Sequence, residues 1–124
     1  FPLLCRISLR GCYKISNLTL QYIAQSCGQK LRKLDLRRCR AITDNGISLL
    51  ATCCTLLESI DLYYCSKLTD SSLEALVACT NLSQVNLCGL NLLTHTAFLS
   101  FCRGLTKLTF VAVSGCNLNL RRQD

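Results

Sequence analysis

Eleven cysteines, a single histidine and two aspartates that each follow a threonine are the residues of this 124-residue chain with chemical potential. Cysteine with histidine can hold zinc, paired cysteines can form disulfides, and carboxylates can act as acids and bases. The spacing argues against each of these roles. There is no Cys-x-x-Cys pair, and His95 stands alone, so a zinc ligand set cannot be assembled. The cysteine count is odd and the positions are periodic. Cys12, Cys39, Cys65 and Cys116 close the same short motif, while Cys27, Cys54, Cys79 and Cys102 fall at or near the ends of apolar stretches. A residue that recurs at one structural place is being used for its size, and free cysteine behaves as a small buried hydrophobe. Free thiols in a reducing compartment, cytoplasmic or nuclear, are therefore expected, all buried except Cys88 and Cys5. Asp44 and Asp70, with Asn17 in the same place, open apolar stretches and are expected to accept hydrogen bonds from the first free helical N–H groups. That structural job leaves no need for catalysis. His95 takes this place in the fourth copy and should cap poorly. With no glycine-rich phosphate loop and no nucleophile beside a base, the chain is expected to be no enzyme, with no catalytic residue, no cofactor and no metal.

The elements that must position these residues are written in an internal repeat. LLCRISLRGC, LRKLDLRRC, LESIDLYYC, LSQVNLCGL and LTFVAVSGC all read L-x-x-(L/I/V)-x-(L/V)-x-x-(C/L). They are anchored at Leu4, Leu31, Leu57, Leu82 and Leu108, with periods of 27, 26, 25 and 26 residues. Within each copy apolar residues alternate, as in Leu34 and Leu36 or Ile60 and Leu62, which predicts a strand with one buried face. After each strand the apolar spacing changes to three and four. Leu20 with Ile23, Ile47 with Leu50, Leu73 with Leu76 and Phe98 with Phe101 predict one face of a short helix. A unit of one strand and one helix cannot cover its own apolar faces, so copies must stack. The predicted fold is α/β: a single domain over residues 1–124, an open horseshoe-shaped solenoid of about five strand–helix repeats with a parallel concave sheet and convex helices. In the fourth copy Leu90 replaces the closing cysteine, which predicts a distorted turn there.

Half of the residues are hydrophobic and 17% are charged, a composition that would also suit a membrane protein. The longest uncharged stretch, Ala75 to Cys102, is interrupted by Asn81, Ser83, Gln84, Asn86, Asn91 and His95, so it lacks the run of about 20 apolar residues needed to cross a bilayer. The first ten residues lack the basic start, apolar run and cleavage site of a signal peptide.

LRKLDLRRCRAITDNGISLLATC and LLESIDLYYCSKLTDSSLEALVAC resemble the cysteine-containing class of leucine-rich repeats. The strand ending in Cys, the (I/L)-T-D and the cysteine closing the helix carry the resemblance. That class is typical of F-box and leucine-rich-repeat substrate receptors of cullin-RING ubiquitin ligases, and of the related mitotic-exit antagonist (AMN-like) proteins. The resemblance implies a protein-interaction module whose repeats hold a protein substrate or regulator. The ligase adaptor would be met only through an F-box outside this sequence. Because the sequence starts inside a repeat, it is expected to be a fragment lacking its N-terminal F-box or cap. A scaffold or regulator outside the ligases, binding an acidic protein, is the alternative.

Side chains between the buried strand residues must point to the concave face, where neighbouring strands about 4.8 Å apart line them up in columns. One column runs Arg6, Lys33, Ser59, Gln84, Phe110; the next Ser8, Asp35, Asp61, Asn86, Ala112; the third Arg10, Arg37, Tyr63, Cys88, Ser114. Arg38 and Tyr64 lie beyond it. Residues 1–40 hold nine Lys and Arg against one acid, whereas residues 41–124 hold five against six. The expected partner-binding surface is Arg10, Lys33, Asp35, Arg37, Arg38, Asp61, Tyr63, Tyr64 and Asn86, since Arg and aromatic residues dominate binding hot spots. An acidic protein partner suits it better than nucleic acid, for which no motif is present, and a membrane is not expected. In the alternative, Asp35 and Asp61 pair with Arg10 and Arg37, and the charge serves solubility. Changes at convex Ser48 or Ser72 are expected to do little.

Overall fold

The structure is a computed structural model that describes residues 5–118. Alternating apolar residues form five short strands: β1 (Arg6–Ser8), β2 (Lys33–Asp35), β3 (Ser59–Asp61), β4 (Gln84–Asn86) and β5 (Phe110–Ala112). Between them, where the spacing turns helical, lie α1 (Asn17–Cys27), α2 (Asp44–Cys53), α3 (Asp70–Leu76) and α4 (His95–Gly104). The strands make one open parallel sheet in sequence order. Its register pairs Arg6 with Lys33, Lys33 with Ser59, Ser59 with Gln84 and Gln84 with Phe110. These are the repeat offsets read from the sequence, so the columns assigned to the concave face stand.

The core lies between sheet and helices. Leu34, Leu36, Ile60, Leu62, Val85 and Leu87 from the strands meet Leu20, Ile47, Leu50, Leu73, Leu76 and Phe101 from the helices, all essentially inaccessible to water. Burying each such side chain contributes about 1.5–3 kcal/mol, and only stacking makes that burial possible. Ile7 in β1 and Leu9 just after it, and Val111 in β5 and Val113 just after it, remain half-buried, because each has a described neighbour on one side alone. The anchors Leu31, Leu57 and Leu82 are fully buried and Leu108 is half-buried. Leu4 lies outside the described residues.

Among the described residues, no helix is long and apolar enough to cross a membrane.

Candidate interaction site on the concave face

Each strand runs into one and the same turn. The N–H of Cys12, Cys39, Cys65, Leu90 and Cys116 donates to the carbonyl three residues back, on Leu9, Leu36, Leu62, Leu87 and Val113, at 3.0–3.2 Å. The residue before each donor has positive φ: Gly11 at 75°, Arg38 at 63°, Tyr64 at 55°, Gly89 at 81° and Gly115 at 74°. Such a turn favours glycine at that position, because a side chain there crowds the backbone at a cost of about 1 kcal/mol. Three copies use glycine; the second and third place Arg38 and Tyr64 there. The turn at Leu90 has the geometry of its siblings, so the distortion expected in the fourth copy is absent. Leu90 is buried like the cysteines it replaces.

Arg38 and Tyr64 belong to one cluster with Arg37 and Tyr63. The Arg37 guanidinium carbon lies 4.1 Å from the Tyr63 ring centre, and that of Arg38 lies 5.2 Å from Tyr63 and 5.5 Å from Tyr64. The two rings meet edge to face at 4.6 Å. Tyr64 also lies over Gly89, where a Cβ would stand 2.7 Å from its ring, so glycine is required there for space as well as for backbone conformation. Tyr64 remains 40% exposed, and Arg38 is exposed. A preassembled stack of two guanidinium groups on two phenol rings loses little side-chain entropy on meeting a partner.

The predicted site residues come together on one face, but several are already engaged. Exposed Arg10 forms a two-pronged contact with Asp35 at 2.8 and 3.0 Å, and half-buried Arg37 pairs with Asp61 at 3.4 Å. Asp35 and Asp61 use their second oxygens to accept the backbone N–H of Arg37 and Tyr63, and the amide oxygen of Asn86 accepts that of Cys88. These three residues hold the strand exits in shape. The cross-strand pairing weighed as the alternative is thus present, and it leaves Lys33 and Arg38 as the cations of the predicted set without an ion-pair partner among the described residues. The positive-φ positions were the signal missed in the sequence. Aligning LRGC, LRRC, LYYC, LCGL and VSGC shows glycine in three copies and Arg38 and Tyr64 in its place.

On the helical side the caps are one residue earlier than expected. Ser16, Thr69 and Thr94 accept the N–H of Leu18, Ser71 and Ala97, so the fourth helix is capped by Thr94 and His95 is its first residue. The residues assigned to capping reach forward to the next repeat instead. Asn17 bonds Thr43, Asp44 bonds the N–H and hydroxyl of Thr69 and the hydroxyl of Ser72, and Asp70 bonds the N–H and hydroxyl of Thr94. Thr43 makes no side-chain cap, its hydroxyl being taken by Asn17. Ser72 is buried at 1% exposure, so it is no inert surface position; Ser48 is exposed as expected.

The thiols are free, and their burial departs from expectation at four places. Cys88 is buried, while Cys12 is exposed and Cys53 and Cys102 are half-buried. Cys88 lies in an inner repeat; Cys12 has no described repeat before it to pack against, unlike Cys116, which is buried. Cys39, Cys65 and Cys116 also donate their thiols to the carbonyls of Leu9, Leu36 and Leu87 in the preceding repeat, at 3.1, 3.0 and 2.7 Å. Cysteine at this place therefore supplies a donor as well as small size. Burial pushes the Cys54 and Cys65 thiols up to about 12 and Cys79 to about 11.

A shallow depression of about 230 Å³ crosses the concave face over β1 to β3. Larger grooves of about 770 and 440 Å³ lie between α1 and α2 and between α3 and α4. Groove volume is a measure for small ligands, whereas a protein partner needs a broad surface with anchoring side chains.

Residues 29–51 match a family described as Leucine Rich repeat. No curated protein sequence matches the chain. Among solved structures, one determined as the complex of Rad7 and Elc1 in yeast superposes with a TM-score of 0.76 at 22% identity, over 94% of this chain and 33% of that one. The tropomodulin C-terminal domain of Caenorhabditis elegans gives 0.66 at 12% identity, covering 90% of this chain and 74% of that one. Leiomodin-1 actin-binding site 2 gives 0.63 at 14%, over 90% and 71%. The chain thus spans about a third of the Rad7–Elc1 chain it resembles. At these identities the likeness establishes the fold, a leucine-rich-repeat solenoid.

Proposed function

We propose that this leucine-rich-repeat solenoid is a protein-interaction module that holds its partner on the concave face across the second and third repeats, anchored by Arg37, Arg38, Tyr63 and Tyr64. The observation that carries the proposal is the pair of strained backbones. Two copies keep a long side chain where three keep glycine, and these two residues stack together and stay open to solvent. Strain of about 1 kcal/mol at each persists where the side chain has a use, and neither side chain belongs to the buried core.

Within this reading the repeats are the substrate-recognition part of an F-box type cullin-RING ubiquitin ligase, acting in the cytoplasm or nucleus and doing no chemistry themselves. The cysteine-containing repeat motif supports this assignment, and the free thiols are in keeping with a reducing compartment. The likeness to Rad7, whose structure is a complex with Elc1, is in keeping with repeats that form one part of a protein assembly.

Partners captured by the chain and identified by mass spectrometry test the site when their affinities are compared between parent and variants. Arg37→Ala with Tyr63→Ala should weaken binding about tenfold or more. Arg38→Gly should also weaken it with stability almost unchanged, because relieved strain and the chain entropy of glycine offset each other at about 1 kcal/mol. Undiminished binding would refute the concave site. A captured partner whose cellular half-life is the same with and without the chain would refute the ligase role.

A further inference from the structure

The register sets two like-charged pairs opposite each other on the concave face, Arg6 with Lys33 and Asp35 with Asp61, and the second is offset by Arg10 and Arg37. Arg6 and Lys33 stand directly opposite each other in the β1–β2 register, on the same face of adjacent strands. Like charges so placed repel and destabilise the ladder. On the same sheet and its edges, three arginines do have a counter-charge: Arg10 has Asp35, Arg32 has Glu58 and Arg37 has Asp61. Arg6 and Lys33 have no ion-pair partner among the described residues. The acids nearest in the sheet are spent, since Asp35 and Asp61 each commit one oxygen to an arginine and the other to a backbone N–H. The two cations share the 230 Å³ depression with Ser8 and Ser59, whose hydroxyls add donors, and with Asp35 and Asp61, whose charges the arginines already offset.

We infer that Arg6 and Lys33 form a subsite for an acidic side chain of the partner, a carboxylate seated between the two cations and helped by Ser8 and Ser59. The inference rests on the concave-face reading and adds a division of labour to it. The subsite begins four residues before the Arg37–Tyr63 column, which lies in the turns that follow the strands. The carboxylate would therefore belong to a residue some distance from whatever stacks on the Arg38–Tyr64 cluster. Arg6 and Lys33 would supply the salt-sensitive part of binding, and the aromatic cluster the salt-tolerant part. Electrostatic strain retained on an exposed surface is the expected mark of a site kept for binding at the expense of stability.

The test uses the full 124-residue chain and a fluorescein-labelled hexaglutamate peptide, with hexaglutamine and a phosphoserine peptide of the same length as comparison probes. Hexaglutamate should bind with an affinity that falls as salt rises, and hexaglutamine should not bind. Arg6→Gln with Lys33→Gln should weaken hexaglutamate binding about tenfold or more and flatten the salt dependence. Lys33→Glu should abolish binding and raise the melting temperature by about 2–5 °C, because an opposite-charge pair with Arg6 replaces repulsion. Hexaglutamate binding unchanged in these variants would overturn the inference. So would a lowered melting temperature for Lys33→Glu, or binding of the phosphoserine peptide with none of hexaglutamate. If the variants fail in this way while Arg37→Ala with Tyr63→Ala still loses the captured partner, the subsite alone is wrong. If that double variant also binds as the parent does, the concave reading falls with it.

Discussion

Replacing Asp44 should damage the stacking of the repeats more than any other polar change. Its carboxylate accepts the Thr69 N–H at 2.9 Å, the Thr69 hydroxyl at 2.6 Å and the Ser72 hydroxyl at 2.6 Å, joining α2 to the start of α3. Asp44→Ala removes all three and leaves the Ser72 hydroxyl, 1% exposed, without its acceptor. An unsatisfied buried hydroxyl costs about 1–3 kcal/mol, and bonds to a charged group contribute more than neutral ones, so a loss of about 2–4 kcal/mol is expected. Asp44→Asn should cost about 1 kcal/mol. The chain already contains that arrangement, since Asn17 donates to the Thr43 hydroxyl and accepts the Thr43 N–H. The residual cost includes the cap: Thr69 now caps Ser71, whereas Thr43, engaged by Asn17, caps nothing. Burial alone would raise the Asp44 pKa, but the bonds from Ser72 and Thr69 outweigh it and hold the carboxyl below the ordinary aspartate range. A depressed folded-state pKa means stability that is present above the unfolded value and lost as the pH falls through the folded one. The contribution should therefore fade below about pH 4, and Asp44→Asn should not show it. Urea denaturation of parent and both variants between pH 3 and 7 measures these quantities. An Asp44→Ala protein within about 0.5 kcal/mol of the parent, a typical surface effect, would refute the forward-reaching role.

Leu62→Ala in the central strand should cost about 2–5 kcal/mol, since Leu62 is fully buried between neighbours on both sides; a urea midpoint close to that of the parent would contradict this. Thiol labelling of the native chain at pH 8 should modify Cys5 and Cys12 quickly, Cys53 and Cys102 slowly, and the other seven only after unfolding. Rapid labelling of Cys54 or Cys65, whose pKa values burial raises to about 12, would mean that the repeats open far more readily than their packing implies.

The sequence by itself determined the repeat, the alternation of strand and helix, and the register that sets the concave columns. A periodicity of two or of three-and-four is a local property, and a constant offset between copies fixes which residues become neighbours once the copies stack. It also located the Arg–Tyr cluster, because four residues in two equivalent positions must adjoin. Only the tertiary structure decided what those neighbours do to one another. Asp44 and Asp70 satisfy a cap by composition, yet the Thr before each holds the cap position, with a side-chain bond at Thr69 and none at Thr43, and the carboxylate bridges to the next repeat. Cys88 occupies an outward column but is covered within an inner repeat, whereas Cys12, in the favoured ladder position, is exposed because the ladder cysteines pack onto the preceding repeat and none is described before it. Asp35 and Asp61 could have faced a partner or a neighbouring arginine, and side-chain geometry chose the arginine. That choice left Arg6 and Lys33 without a counter-charge among the described residues. Whether a charge on a surface is already spent depends on distances of a few ångströms between residues some 25 positions apart, which spacing along the chain does not contain.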